Sequence, residues 1–199
     1  TALITSPSLS ARLGAPVYLK CEHQQTTGAF KLRGASNAVL SLTAEERSKG
    51  VVTASTGNHG RALAQAAAEA GARCVVCLSS LVPGNKVAAI RALGAEVRVV
   101  GSSQDQAMLE VQRAVREDGM IEVPPFDHPL VIAGQATLGL EILEQLPACD
   151  TILVPLSGGG LIAGIAMAAK AVKPTVRIVG ATMERGAAMH ASLEAAHPG

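Results

Sequence analysis

The sequence has almost no aromatic rings. Its 199 residues include no Trp, one Tyr (Tyr18) and two Phe (Phe30 and Phe126). The core must therefore be assembled from Ala, Val, Leu and Ile, which favours closely packed helices on a branched-aliphatic sheet. Charge is scarce as well: 17% of residues are charged, and 17 Lys plus Arg against 16 Asp plus Glu leave a formal charge of +1. The long-range field of a polyanion binder is missing, so nucleic acid is not an expected partner. No apolar run reaches the roughly 20 residues of a membrane span, and no basic segment leads into one. The expectation is a soluble, cytoplasmic protein with no membrane partner. Four Cys (Cys21, Cys74, Cys77, Cys149) are too few and too scattered for a disulfide scaffold. Cys74 and Cys77 form a CxxC, but Val75 and Val76 between them read as buried strand, and no second ligand pair follows at zinc-site spacing. His128 and His190 stand alone, His23 and His197 read as solvated or capping residues, and no metal is expected. What the chain does have is apolar residues, at 48%, and 20 Gly. It excludes disorder and suits one large domain or two small ones.

From about residue 50 onward, short branched-aliphatic runs alternate with longer Ala-rich periodic segments, the pattern of βα units and of an α/β fold. Strands are expected at Val51 to Thr53, Arg73 to Leu78, Glu96 to Val100, Met120 to Val123, Thr151 to Leu156 and Val176 to Ala181. Helices are expected at His59 to Ala70, Asn85 to Leu93, Ser103 to Glu117, Pro129 to Gln145 with Asp127 as N-cap, and Leu161 to Val172. Ahead of them come a short helix near Ser8 to Leu13, at which the chain is expected to open directly, an extended Val17 to Cys21 and a helix from Lys31 to about Leu40. The last residues, His197-Pro198-Gly199, follow a helix and leave the sheet without a settled final layer, so the chain is expected to be partial at its C-terminus.

Three segments could carry chemistry. In the first, Lys20 to Gly34, Lys31 opens a helix, where the macrodipole disfavours its ammonium form and favours imine formation with a carbonyl cofactor. A solvated helix-start lysine fits the same pattern, and Phe30 beside it is either a ring-packing residue or a core plug. The second, Ser55-Thr56-Gly57-Asn58-His59, lies between a strand and a helix, where hydroxyls and backbone N–H groups can nest a carboxylate or phosphate. It has more polar and glycine residues in succession than a helix cap requires. The third, Ser157-Gly158-Gly159-Gly160-Leu161, has three glycines that let the backbone wrap a phosphate. It lacks the ending of a nucleotide P-loop and the spacing of a dinucleotide fingerprint, which points to a phosphate-bearing cofactor without triphosphate chemistry.

These segments, with Pro83-Gly-Asn-Lys86, Phe126-Asp127 and Gly134-Gln135-Ala-Thr137, resemble in order and spacing the fold-type II pyridoxal-phosphate enzymes of the threonine dehydratase and serine racemase family. The ending Met183-Glu-Arg-Gly-Ala-Ala-Met189 most resembles the dehydratases of hydroxyectoine utilisation. The resemblance implies two three-layer α/β/α domains of the tryptophan-synthase-beta-like type. A small domain of residues 50–127 is inserted into a large, here incomplete, one of residues 1–49 and 128–199. It implies pyridoxal 5'-phosphate as cofactor, an amino-acid substrate and a homodimer.

The resemblance also implies roles. Lys31 bonds the cofactor and takes the α-proton, Phe30 lies against the cofactor ring, and Asn58 bonds its phenolic oxygen. Ser55, Gly57, Asn58 and His59 receive the substrate carboxylate, while Ser157, Gly158, Gly159, Gly160 and Leu161 hold the phosphate. Thr56 stands where a racemase carries a serine hydroxyl opposite the lysine, which favours elimination over racemisation. The carboxylates that hold a divalent cation in the racemase branch fall near Thr182 and Ala188, neither a competent ligand. Arg61 departs from the family's usual Gln and could read an acidic substrate. The expected reaction is dehydration of a β-hydroxy amino acid (threonine, serine or hydroxyaspartate type) to a 2-oxo acid and ammonia. Racemisation, β-replacement and non-catalytic binding of a phosphorylated small molecule stay open as alternatives.

Overall fold

The computed structural model describes residues 1–55, 57–184 and 188–195. The chain opens with β1 (Leu3–Thr5), then α1 (Pro7–Leu13) and β2 (Tyr18–Lys20), which returns antiparallel to β1. The expected opening directly on a helix is thus corrected by a strand of three residues, too short to carry a period. A 3-10 turn (Glu22–Gln24) leads to α2 (Lys31–Leu40) and α3 (Ala44–Lys49). Then follow β3 (Val51–Ala54), α4 (Asn58–Glu69), β4 (Cys74–Leu78), α5 (Gly84–Arg91), β5 (Glu96–Val99), α6 (Gln104–Asp118) and β6 (Ile121–Glu122). The chain continues through α7 (Pro129–Gln145), β7 (Thr151–Pro155), α8 (Gly160–Val172), β8 (Arg177–Ala181) and α9 (Ala188–Ala195).

The strands β3 to β6 form one parallel sheet in the order β5-β4-β3-β6. Alternation along β4 sends Cys74, Val76 and Leu78 into one core, under α2, α4 and α5, and Val75 and Cys77 into another, under α6. Both faces of this sheet are therefore covered, which is why its central strands read as unbroken apolar runs. The same alternation puts the two CxxC sulfurs on opposite faces, so they share neither a metal nor a disulfide. A third core lies between the parallel pair β7–β8 and helices α7 and α8.

Glycine brings the helices unusually close. A Cβ built on Gly134 of α7 would lie 2.4 Å from the Arg33 carbonyl oxygen and 2.5 Å from the Gly34 Cα of α2. On α7's other side, Gly139 meets the Ile165 carbonyl of α8, and Gly164 of α8 meets the Ile132 carbonyl, at 2.8 and 2.5 Å from the built Cβ. The expected Asp127 cap is also corrected. Pro129 occupies the first turn, where its missing N–H costs nothing, and the cap falls on His128, whose Nδ1 accepts from the Leu130 N–H at 3.3 Å.

Candidate active site

The sheet order places a crevice. From β3 the chain moves to β4 and β5 on one side, then returns as β6 on the other side of β3. The loops at the carboxyl ends of β3 and β6 diverge there, and ligands of open α/β sheets settle at such a switch point. The described residues of those loops are Ser55 and Gly57, leading into α4, and the strap 123–128, leading into α7.

Lys31 is brought to this place by the first turn of α2. Its amine donates to the Pro125 carbonyl of the strap at 2.5 Å and lies 5.2 Å from the centre of the Phe30 ring and 6.0 Å from that of Phe126. Burial pushes its pKa below the ordinary lysine value, and among the described residues no carboxylate pairs with it. Lys31, Phe30 and Phe126 line a cavity of about 490 Å³ with the loop Ser157 to Leu161 and the end of β8, Ala181 to Met183.

The three glycines of that loop have separate reasons. A Cβ on Gly158 would strike the Phe126 ring at 2.6 Å, one on Gly160 would strike the Phe126 carbonyl at 2.5 Å, and Gly159 has φ +85°, in the left-handed region. Gly159 is also the N-cap of α8 and has no side chain to satisfy the helix's first N–H groups. The positive end of the macrodipole at such a helix start favours an anion.

Of the residues singled out from sequence, Phe30, Lys31, Ser157, Gly158, Gly159, Gly160 and Leu161 meet in this cavity. Ser55, Gly57 and Asn58 stand at the start of α4 without lining it. Ser55 Oγ accepts from the Gly57 N–H at 3.4 Å, and Gly57 caps α4 with no side-chain bond, so among the described residues no side chain caps this second helix start either. Asn58 is exposed. Thr56 and residues 185–187 of the Met183 to Met189 ending lie outside the described residues.

His59 departs from its expected place. Its ring is 2% exposed and faces the core, with Nε2 2.9 Å from the Val123 carbonyl. Burial pushes its pKa down to about 4, so the ring is neutral at pH 7. Only its backbone N–H, in the first turn of α4, is left for a substrate carboxylate. The physical reason is the helix period: Asn58 and Arg61 share the outer face of α4, and residue 59 falls on the inner one.

Sequence reading also missed the ion network that anchors α2. Arg33 reaches Glu22 through Nε and Nη2, both at 2.9 Å, and Glu141 through Nη1 at 2.6 Å and Nη2 at 2.9 Å. Lys20 joins Glu141 at 2.6 Å. Hydrogen bonds from Arg33, with Lys20 adding to them, hold the Glu141 carboxyl down at about 2 against partial burial. For Glu22, burial raises the pKa, and the bonds from Arg33, Thr1 and Gln25 together outweigh it and lower the value. Two forks on one guanidinium fix α2, two residues from Lys31, to the chain before it and to α7. Glu22 and Arg33 stood in a quoted motif, but nothing local signalled that they pair with each other and with residue 141.

Known proteins share this sequence and fold. The chain is 60% identical over 198 residues to a Sinorhizobium fredii (strain NBRC 101917 / NGR234) protein provisionally named threonine dehydratase, covering 100% of this chain and 60% of that protein. The processed form of threonine deaminase isoform 2 from Solanum lycopersicum superimposes with a TM-score of 0.97 at 39% identity, covering 100% of this chain and 58% of that one. Maize serine racemase superimposes with a TM-score of 0.96, also at 39% identity, covering 100% and 60%. The chain thus spans about three-fifths of the length of these relatives. The sequence profile that matches residues 1–199 describes enzymes dependent on pyridoxal phosphate, and an amine with no carboxylate partner among the described residues, in one cavity with a helix start that no N-cap side chain closes, agrees with it: the chain belongs to the pyridoxal-phosphate dependent enzyme family.

Proposed function

We propose that the protein of which this chain is part is a pyridoxal-phosphate-dependent ammonia-lyase that dehydrates a β-hydroxy amino acid. The observation that carries the reading is the Lys31 amine, partly buried, without a carboxylate partner among the described residues and set in the same cavity as the start of α8. The residues fit the cofactor. The glycine loop offers free N–H groups to a phosphate, Phe30 offers a ring face, and burial favours the neutral amine that attacks an aldehyde. Bound there, the cofactor supplies an electron sink for the pair left behind when a proton leaves carbon next to the substrate's amino group.

Lys31, once its amine is free, takes that α-proton. Ser55 with the N–H groups at the start of α4 orients the substrate carboxylate, and Asn58 bonds the cofactor's phenolic oxygen. Loss of the α-proton and the β-hydroxyl removes one water. The released enamine takes up water and falls apart to a 2-oxo acid and ammonia, so the overall change is amino acid to oxo acid plus ammonia. The four-stranded unit, residues 50–127, serves as the small domain, and the remainder belongs to the large one.

A second reading concerns the substrate's side chain. Arg61 lies one turn from Asn58 on the outer face of α4, partly buried, and its buried Nε has no hydrogen-bond partner among the described residues. Arg33, Arg98 and Arg113 all meet carboxylates. A guanidinium left with a buried free donor beside the substrate turn favours an acidic substrate such as 3-hydroxyaspartate. Equal preference for threonine and 3-hydroxyaspartate in both wild type and Arg61→Gln would refute it.

The test of the main reading is the absorption spectrum of the full-length protein before and after L-serine, L-threonine or 3-hydroxyaspartate, with 2-oxo acid assayed in the same cuvette. A yellow band that is lost in Lys31→Ala and shifts with substrates yielding oxo acid is the expected result. A protein left colourless by added pyridoxal phosphate would overturn it. Appearance of the opposite enantiomer, or uptake of an added thiol, would replace elimination with racemisation or β-replacement.

A further inference from the structure

The strap between β6 and α7 runs Val123-Pro124-Pro125-Phe126. Its two prolines have no N–H to donate, so backbone donors cannot hold their stretch in place. Acceptor contacts must do so. The Val123 N–H is tied to the Val52 carbonyl of β3 at 3.0 Å, and the Val123 carbonyl receives His59 Nε2. Two residues on, the Pro125 carbonyl receives the Lys31 amine, and Phe126 then packs its ring on Gly158 and its carbonyl and Cβ against Gly160 of the glycine loop.

A carbonyl oxygen only accepts, so the His59 proton sits on Nε2 and Nδ1 is a bare acceptor. Among the described residues the buried Nδ1 has no partner. An apolar side chain of similar size would fill this space without desolvating a nitrogen that gets nothing in return. What the ring contributes is therefore its one bond, to the strap.

We propose that His59 is a positioning residue for Lys31: its Nε2–H fixes the Val123 carbonyl, and through it the Pro125 carbonyl that receives the lysine amine and the Phe126 ring that shields it. The proposal rests on reading Lys31 as the cofactor-bonding amine, and extends that reading to a side chain with no access to substrate. Besides His59, the titratable and charged groups on the elements meeting here are Arg33 on α2, Arg61 and Glu69 on α4, Glu122 on β6, Asp127 and His128 after the strap, and Glu141 and Glu144 on α7. Among the described residues none forms an ion pair with Lys31.

The test uses the full-length protein freed of cofactor and follows competitive acetylation of Lys31 against pH, quantified by peptide mass spectrometry. Three variants differ in reach: His59→Gln places an amide nitrogen near the position of Nε2, while His59→Asn and His59→Leu cannot reach the Val123 carbonyl. Burial is what holds the lysine below its ordinary value, so a displaced strap that admits water should raise the midpoint toward that value. Labelling at neutral pH should then fall severalfold in the Asn and Leu variants, with the native midpoint kept in His59→Gln. Thermal unfolding identifies which variants are folded. Folded Asn and Leu variants with the native midpoint would overturn the proposal, as would a folded Gln variant displaced as far as Asn. If neither Asn nor Leu folds, the folded Gln variant decides alone, by keeping or losing the native midpoint. Failure to form a coloured adduct would count against the catalytic reading and leave this midpoint readable.

Discussion

The crossing of α2 and α7 sets where Lys31 stands, and one methyl group tests it. In Gly134→Ala the added Cβ would lie 2.4 Å from the Arg33 carbonyl oxygen and 2.5 Å from the Gly34 Cα, both backbone atoms. No side chain can swing aside, so α2 must retreat by roughly 0.6 Å merely to reach a tolerable contact. Overpacking of this kind costs about 1–3 kcal/mol, and a backbone-to-backbone clash belongs at the upper end. Against it, Ala in place of Gly within a helix gains about 1 kcal/mol. The clash wins by about 2 kcal/mol, equivalent to a fall of roughly 4–8 °C in unfolding temperature at about 2–4 °C per kcal/mol.

Gly84→Ala provides the contrast. Gly84 begins α5, has no positive φ, and its added Cβ would meet nothing within 4 Å. The same change should therefore raise the unfolding temperature slightly, by about 0.4–1 kcal/mol of stability through the unfolded chain's lost freedom. Thermal unfolding of both variants beside wild type decides the matter. If Gly134→Ala melts with wild type, the close crossing is not rigid and the placement of Lys31 does not depend on it.

The Arg33 network predicts an acid weakness. Glu141 is held at about 2, below its ordinary 4.5, so its stabilisation is complete above about 4.5 and fades as pH falls toward 2. At a side chain 32% exposed, screening leaves this at about 1–2 kcal/mol. Urea midpoints at pH 6 and pH 3 should fall less between the two for Glu141→Gln than for wild type, and equal falls would count against the network. Burial pushes the Cys74 thiol up to about 12 and the Cys77 thiol to about 11, so thiol reagents at pH 8 should modify the half-buried Cys149 before either. Mass mapping that finds Cys77 labelled as fast as Cys149 would contradict the buried-strand assignment. Thr43 and Glu46 form a reciprocal capping box on α3, at 3.1 and 2.8 Å. Thr43→Ala should cost about 1 kcal/mol, read as a lowered urea midpoint.

What could be read from sequence followed the range of the interaction. The parallel strands and long helices came from apolar period alone, because each is fixed by which face it buries. Glycine runs and helix-start turns were legible for the same local reason. The box Thr43-x-x-Glu46 was legible too and went unread, since α3 has only six residues. Strand β1 was out of reach: its three residues are held by pairing with β2, a partner the period cannot name. The cap of α7 went to His128 instead of Asp127 because Pro129 fixes the helix frame. The links between Arg33 and Glu141, and between His59 and Val123, join residues 108 and 64 apart, and no local pattern encodes either.

That division has a consequence for how the site is built. The loops after β3 and β6 are placed by sheet topology and would diverge at the switch point whatever side chains they bore. Lys31 is not on the sheet. It arrives on α2, which docks by the glycine crossing with α7 and by the two forks of Arg33, and its amine then rests on a strap whose prolines cannot hold themselves. The crevice is thus a property of the fold, whereas the lysine amine within it depends on contacts made by Gly34, Gly134, Arg33 and His59. These contacts can be weakened while the parallel sheet and its two cores persist, so loss of the amine's position should precede loss of the fold.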